Sequence, residues 1–73
     1  MPVIDMAATG RNIKDMRVAA GMTIRDIQNA CGVSATAVTK WQNGSSVPSI
    51  DNIVILANIW NVRMDDIIVT KTA

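Results

Sequence analysis

The segment from Thr23 to Gly44 constrains the fold of this chain more than any other part of its sequence. Apolar residues recur at helical spacing on both sides of Gly32, which predicts two short amphipathic helices. A glycine directly after a helical turn adopts the left-handed conformation without steric cost, so the chain can turn sharply into the next helix. The residues predicted to face inward from this pair of helices are Ile27, Cys31, Val33, Val38 and Trp41.

Capping residues set the limits of the two helices. Thr23 is a good N-cap for the first, and Asp26 three residues later is placed to complete the cap as its acidic partner. Ser34 caps the second helix, which is predicted to end at Gln42 or Asn43. The segment therefore predicts a helix-turn-helix whose second helix turns small polar side chains outward.

Three further helices are predicted around this pair. Helical spacing predicts one at about 10–20, a strongly amphipathic one at about 49–60, and one or two turns at 63–68. The apolar positions of the two longer helices are Ile13, Met16, Val18 and Ala20, and Ile50, Ile53, Val54, Ala57 and Trp60. Residues 1–9 are predicted to be a flexible, extended or frayed lead-in, and residues 70–73 a polar tail. The fold class is therefore all-α, a compact bundle of about five short helices.

Length and composition limit the class of protein. A chain of 73 residues forms one domain, predicted at 10–69, and its 49% hydrophobic content exceeds what so small a globule usually needs. Self-association is one explanation of that excess. No apolar run approaches the roughly 20 residues that span a bilayer, the N-terminus lacks the pattern of a signal peptide, and the single Cys31 forms no internal disulfide. We therefore expect a cytoplasmic protein.

Charge is distributed unevenly, although the formal net charge is only +1. Residues 11–40 carry five basic and two acidic side chains, whereas residues 51–73 carry two basic and three acidic ones. The positive part coincides with the predicted helix-turn-helix, which gives modest support to a nucleic-acid partner.

The composition contains no indication of a catalytic centre. The chain has no histidine, its one cysteine lacks a base partner, and its six carboxylates are scattered without metal-ligand spacing. We therefore expect no enzymatic activity, no metal and no cofactor, and no site for a small-molecule effector is evident.

The order and spacing of these features resemble the lambda-repressor-like domain of the Cro/repressor helix-turn-helix family, called XRE. The resemblance covers about residues 12–69. It rests on Met22-Thr23, Ile27, Cys31-Gly32-Val33-Ser34, Val38, Trp41, Asn43-Gly44, Pro48-Ser49-Ile50, Leu56-Ala57, Val62 and Asp66-Ile67-Ile68. It implies a bacterial or phage transcriptional regulator, such as a repressor, that binds double-stranded DNA as a homodimer on a two-fold operator.

The resemblance also implies which residues contact DNA, with the helix at about 34–43 in the major groove. The residues implied to face base edges are Ala35, Thr36, Thr39 and Lys40. Those implied to contact phosphate are Thr23, Ser34 and Asn43. Lys40 can donate to guanine acceptors, and the methyl groups of Ala35 and Thr36 suit a thymine methyl.

One departure from the family pattern concerns Arg17. A glutamate commonly pairs with the arginine that Arg17 matches, and Gln42 stands in its place here. The buried ion pair is therefore predicted to become a hydrogen bond between a charged group and an amide.

The apolar residues near the C-terminus leave two interpretations open. Trp41 shares the inward face with Val38 and is predicted to be core, but Trp60 is compatible with the core and with a dimer contact. The same two options apply to residues 67–69, which would be costly to leave in water. Trp60 and Ile68 are the residues that we predict for the dimer interface.

A second functional class uses the same fold. The chain is also compatible with a protein-interaction or antitoxin-like module in which DNA contact is secondary. High hydrophobicity and a slight net charge favour that module, whereas the polar outward face of the second helix and the positive N-terminal half favour DNA. Salt dependence distinguishes them, because phosphate binding weakens steeply as salt rises.

Overall fold

The computed structural model describes all 73 residues as five helices and one small two-stranded sheet. The elements are β1 (Pro2–Ile4), α1 (Met6–Ala19), α2 (Ile24–Cys31), α3 (Ala35–Gln42), α4 (Ile50–Trp60), α5 (Met64–Ile67) and β2 (Thr70–Thr72). The predicted bundle of about five short helices is confirmed. None of these helices combines the length and the hydropathy that crossing a membrane requires.

Helices α2 and α3 form the predicted helix-turn-helix. The Thr23 side chain accepts a hydrogen bond of 3.1 Å from the Asp26 N–H, and the Asp26 carboxylate accepts one of 2.8 Å from the Thr23 N–H. Gly32 follows α2 in the left-handed region, with φ 66° and ψ 39°. Ser34 caps α3 by accepting a hydrogen bond of 3.1 Å from the Ala37 N–H. The caps and the turn that local sequence predicted are therefore confirmed.

One apolar core joins the helix-turn-helix to the other three helices. Its buried members are Ile13, Ile27, Val38, Trp41, Ile53, Leu56, Ala57 and Ile67. Trp41 is only 5% exposed, which confirms its prediction as a core residue. Ile67 is fully buried, and the Asn12 side-chain amide donates a hydrogen bond of 3.1 Å to its carbonyl. The C-terminal apolar cluster therefore packs, at Ile67, onto the core and α1.

Helix α1 begins earlier than predicted, at Met6. The Asp5 carboxylate accepts a hydrogen bond of 3.0 Å from the Ala8 N–H and so provides the N-cap. The predicted start near residue 10 was wrong, because the first turn of α1 shows no clear apolar periodicity although a capping aspartate precedes it. Thr9 and Gly10 are consequently buried inside the helix.

The two ends of the chain pair with each other. Strands β1 and β2 are antiparallel, with Val3 opposite Lys71, and the Asp5 N–H donates a hydrogen bond of 2.7 Å to the Val69 carbonyl. The Thr9 hydroxyl oxygen accepts a further hydrogen bond of 2.9 Å from the Val69 N–H. Sequence alone predicted a lead-in and a polar tail here, whereas in the structure both segments pair as strands beside the bundle. Local sequence patterns did not reveal this pairing, because its hydrogen bonds join residues far apart in the chain.

Candidate nucleic-acid interface

One side of α3 is turned to solvent and carries all four residues predicted to face base edges. Ala35, Thr36, Thr39 and Lys40 are exposed, whereas Val38 and Trp41 on the opposite side of the helix are buried. Asn43, at the C-terminal end of the helix, is exposed as well. We call the surface formed by Ala35, Thr36, Thr39, Lys40 and Asn43 the α3 face.

The two capping residues at the helix-turn-helix keep a free donor. The hydroxyl oxygens of Thr23 and Ser34 each accept a backbone hydrogen bond within their own helix. Neither hydroxyl donates a hydrogen bond within the chain, and both residues are exposed. A phosphate oxygen only accepts hydrogen bonds, so these two O–H groups match what a phosphate contact requires.

Asn43 also presents a free hydrogen-bond donor, because the other end of its side-chain amide is already engaged. Its side-chain oxygen accepts hydrogen bonds from the Ser45 N–H at 3.0 Å and from the Ser45 hydroxyl at 2.6 Å. Bidentate reading of adenine uses the oxygen and the nitrogen of an amide together. With its oxygen engaged, Asn43 offers the donor nitrogen, which suits a phosphate better than a base edge.

Positive charge near the helix-turn-helix is unpaired. The only ion pair in the structure joins Arg63 and Asp65 at 3.6 Å, and both of its side chains lie more than 80% exposed beside α5. Within residues 11–40, the exposed cations outside that pair are Arg11, Lys14, Arg25 and Lys40. Their charge is therefore free to interact with an anionic partner.

Arg17, in contrast to these exposed cations, is engaged in hydrogen bonds within the chain. Its Nε donates a hydrogen bond of 2.9 Å to the Gln42 side-chain oxygen, and its Nη1 donates one of 2.9 Å to the Met22 carbonyl. This confirms the predicted hydrogen bond between a charged group and an amide. The contact ties α1 to the C-terminal end of α3 and to the segment that precedes α2.

Gly10 is a positioning residue that the sequence did not reveal. A Cβ at this position would overlap the Trp41 carbonyl oxygen and would lie 2.9 Å from the Gln42 carbonyl oxygen. The α1 backbone therefore approaches the last turn of α3 at a distance that only glycine allows. A glycine within a helical pattern is the one local signal of such a contact.

The two residues predicted for a dimer interface are partly buried. Trp60 and Ile68 both pack against the core of their own chain. Val18, Ile50 and Val54, which stand at apolar positions of their helices, are 59%, 64% and 48% exposed. Helical spacing identifies an apolar side of a helix, but the neighbouring elements cover only part of that side.

Cys31 is a partly buried thiol at the end of α2. Burial raises the pKa of the Cys31 thiol above its ordinary value. It packs against the core as a small apolar residue, and no cluster of three or more potential metal ligands is present.

Comparison with known proteins gives one family and several similar folds. The model of the family described as Helix-turn-helix matches residues 13–67. The crystal structure of the restriction-modification controller protein C.AhdI from Aeromonas hydrophila matches 86% of this chain and 96% of its own, with a TM-score of 0.76 and 21% identity. That of the clp gene regulator ClgR from C. glutamicum matches 85% of this chain and 80% of its own, with a TM-score of 0.73 and 19% identity. No curated protein matches the chain.

The structural likenesses, at this identity, show a shared fold. The family match goes further, because it spans most of the chain and includes the α2 and α3 pair with its glycine turn. This chain belongs to the helix-turn-helix family of the lambda-repressor-like, XRE type, whose members are DNA-binding transcriptional regulators.

Proposed function

We propose that this protein regulates transcription by inserting α3 into the major groove of a specific DNA sequence. The observation that carries the proposal is the α3 face, an exposed surface with unpaired charge at Lys40 and free donors around it. In this arrangement Ala35, Thr36, Thr39 and Lys40 face base edges. The donors of Thr23, Ser34 and Asn43 hold phosphates and set the register of the helix.

Regulation then follows from occupancy of the operator. A bound protein either occludes a promoter or recruits a partner, and the position of the operator decides which. Because DNA is the proposed partner, we place the protein in the cytoplasm. We propose that the concentration of the protein, or a protein partner, controls occupancy of the operator.

Lys40 supplies the direct test. We expect Lys40→Ala to weaken binding to the preferred site by about 1–3 kcal/mol, because a lysine that donates to guanine contributes that much discrimination. Binding to random DNA is expected to change less. The preferred site is first selected from a random DNA pool, and affinities are then measured by fluorescence anisotropy on selected and scrambled duplexes. Lys71→Ala, an exposed lysine of β2 outside the α3 face, is the matched control and is expected to bind as the parent does.

Two other outcomes have definite meanings. If Lys40→Ala weakens all duplexes equally and lowers the salt slope by about one unit, Lys40 contacts phosphate and not a base. If a folded Lys40→Ala, Thr36→Ala double variant binds every duplex as the parent does, α3 does not read DNA. Binding to a protein partner that does not weaken as salt rises would then favour the protein-interaction module. The exposed apolar side chains of α4 are the observation that supports that module.

We further propose that the protein acts as a homodimer, because one helix-turn-helix buries too little DNA surface for tight operator binding. The predicted contacts Trp60 and Ile68 lie in two apolar depressions, toward opposite ends of α4. Ile68 shares its depression with Ile50, which at 64% is the most exposed large apolar side chain of any helix. We place the dimer contact at this depression.

Introducing a charged residue at this depression tests the proposed dimer. We expect Ile50→Glu to be a monomer at micromolar concentration, because a carboxylate in an apolar interface loses its hydration without gaining a partner. Val18→Glu alters an aliphatic residue of similar exposure outside both depressions, and is expected to remain dimeric. Sedimentation velocity measures both. If Ile59→Glu dissociates the dimer and Ile50→Glu does not, the dimer contact lies at the depression that contains Trp60. If the parent protein is monomeric both free and on DNA, the model of a homodimer on a two-fold operator is excluded.

A further inference from the structure

Lys40 is the one side chain of the α3 face that can read a purine through a pair of hydrogen bonds. Arginine or lysine makes the bidentate contact to guanine, and the amides of asparagine and glutamine make the one to adenine. No arginine lies on α3, and its one glutamine, Gln42, is partly buried with its oxygen bonded to Arg17. Asn43 has its oxygen engaged by Ser45. The face is therefore left with Lys40 as its one long donor, which can contact guanine, and with no amide free to read adenine.

The same face presents methyl groups. Ala35, Thr36 and Thr39 are exposed, and each ends in a methyl group. Ala35 and Thr39 are four residues apart and Thr36 and Thr39 are three apart, so these side chains are neighbours on the helix surface. All three are short, which allows the α3 backbone to come close to the base edges. The result is a strip of methyl groups, bordered by Lys40.

On the basis of the proposed DNA-binding function, we infer that the α3 face recognises the 5-methyl groups of thymines in each operator half-site. The thymine methyl is the apolar group that the bases display in the major groove, and apolar side chains such as alanine and the threonine methyl contact it. Specificity then comes from methyl contacts, with Lys40 as the one strong hydrogen-bond donor to a base. A 5-methylcytosine carries its methyl group at the same ring position, so it substitutes for thymine better than cytosine does.

Deoxyuridine tests this inference, because it removes the methyl group and keeps every hydrogen-bonding group of thymine. We expect replacement of a contacted thymine in the selected duplex to weaken binding about four-fold, the value of one buried methyl group. Replacement at two contacted positions is expected to weaken it by more than ten-fold. Deoxyuridine outside the half-sites is the matched control and is expected to change nothing. Placing 5-methylcytosine at a contacted position should retain more affinity than placing cytosine there.

A protein variant completes the test. Thr36→Ser and Thr39→Ser each remove a methyl group and keep the hydroxyl, at exposed positions where folding is unaffected and can be checked by circular dichroism. We expect at least one of them to bind thymine and deoxyuridine duplexes equally, since its contact is already lost. If sequence-specific binding persists while deoxyuridine has no effect at any position, the methyl inference is wrong and the proposed function stands. If no sequence is preferred over random DNA, the proposed function itself fails.

Discussion

Replacing Trp41 with alanine is expected to remove about 3–5 kcal/mol of stability, which is the usual loss for a tryptophan truncated in a core. Trp41 is 5% exposed and belongs to the buried cluster that joins the helix-turn-helix to the rest of the bundle. A domain of this size has a total stability of about 4–11 kcal/mol. We therefore expect a melting temperature at least about 12 °C lower, measured by circular dichroism, and a matching fall in the urea midpoint.

The second tryptophan is the control for this result. Trp60 is only partly buried, so Trp60→Ala is expected to cost less than Trp41→Ala. Trp41→Phe keeps much of the buried apolar area and is expected to lie between the parent and the alanine variant. A Trp41→Ala variant that melts with the parent would show that the ring is not part of the core.

Gly10→Ala is expected to destabilise the protein by about 1–3 kcal/mol or more, the cost of overpacking a close contact. The sign is the informative part, because an alanine in place of a helical glycine normally stabilises by about 0.5–1 kcal/mol. Here the added Cβ would meet the carbonyl oxygens of Trp41 and Gln42, which are backbone atoms and cannot move without shifting α3. Urea unfolding measures the change.

A substitution at an exposed position of α1 measures the effect of helix propensity alone. Ala19 is exposed in the same helix, so Ala19→Gly is expected to lose up to about 1 kcal/mol through propensity alone. If Gly10→Ala instead stabilises the protein, α1 and α3 do not approach each other as closely as the structure has them.

The features that could be predicted from sequence are those decided by near neighbours in the chain. The caps at Thr23 and Ser34 and the left-handed turn at Gly32 depend on hydrogen bonds and dihedral angles within a few residues. Their residue types carry the signal directly, because few side chains can accept those bonds or adopt that backbone conformation. The helix-turn-helix, and with it the surface to which Lys40 belongs, followed from these local rules.

The helical spacing of apolar residues predicted the centre of the core, but it did not predict where the buried surface of each helix ends. Ile13, Ile27 and Val38 lie on apolar sides of their helices and are fully buried. Ile50 and Val54 lie beside the buried side of α4 and remain exposed. The spacing of apolar residues says which side of a helix is apolar, and only the neighbouring elements decide how much of that side is covered.

Long-range contacts were decided by the tertiary structure alone. The sequence by itself determined the helices, the turn and the exposed polar side of α3, because each is set by residues close together in the chain. The pairing of β1 with β2 and the bond between Thr9 and Val69 join positions at opposite ends of the sequence. The approach of Gly10 to Trp41 likewise depends on how α1 packs across α3. No local preference encodes these contacts, since they form only when packing of the whole core brings distant segments within bonding distance.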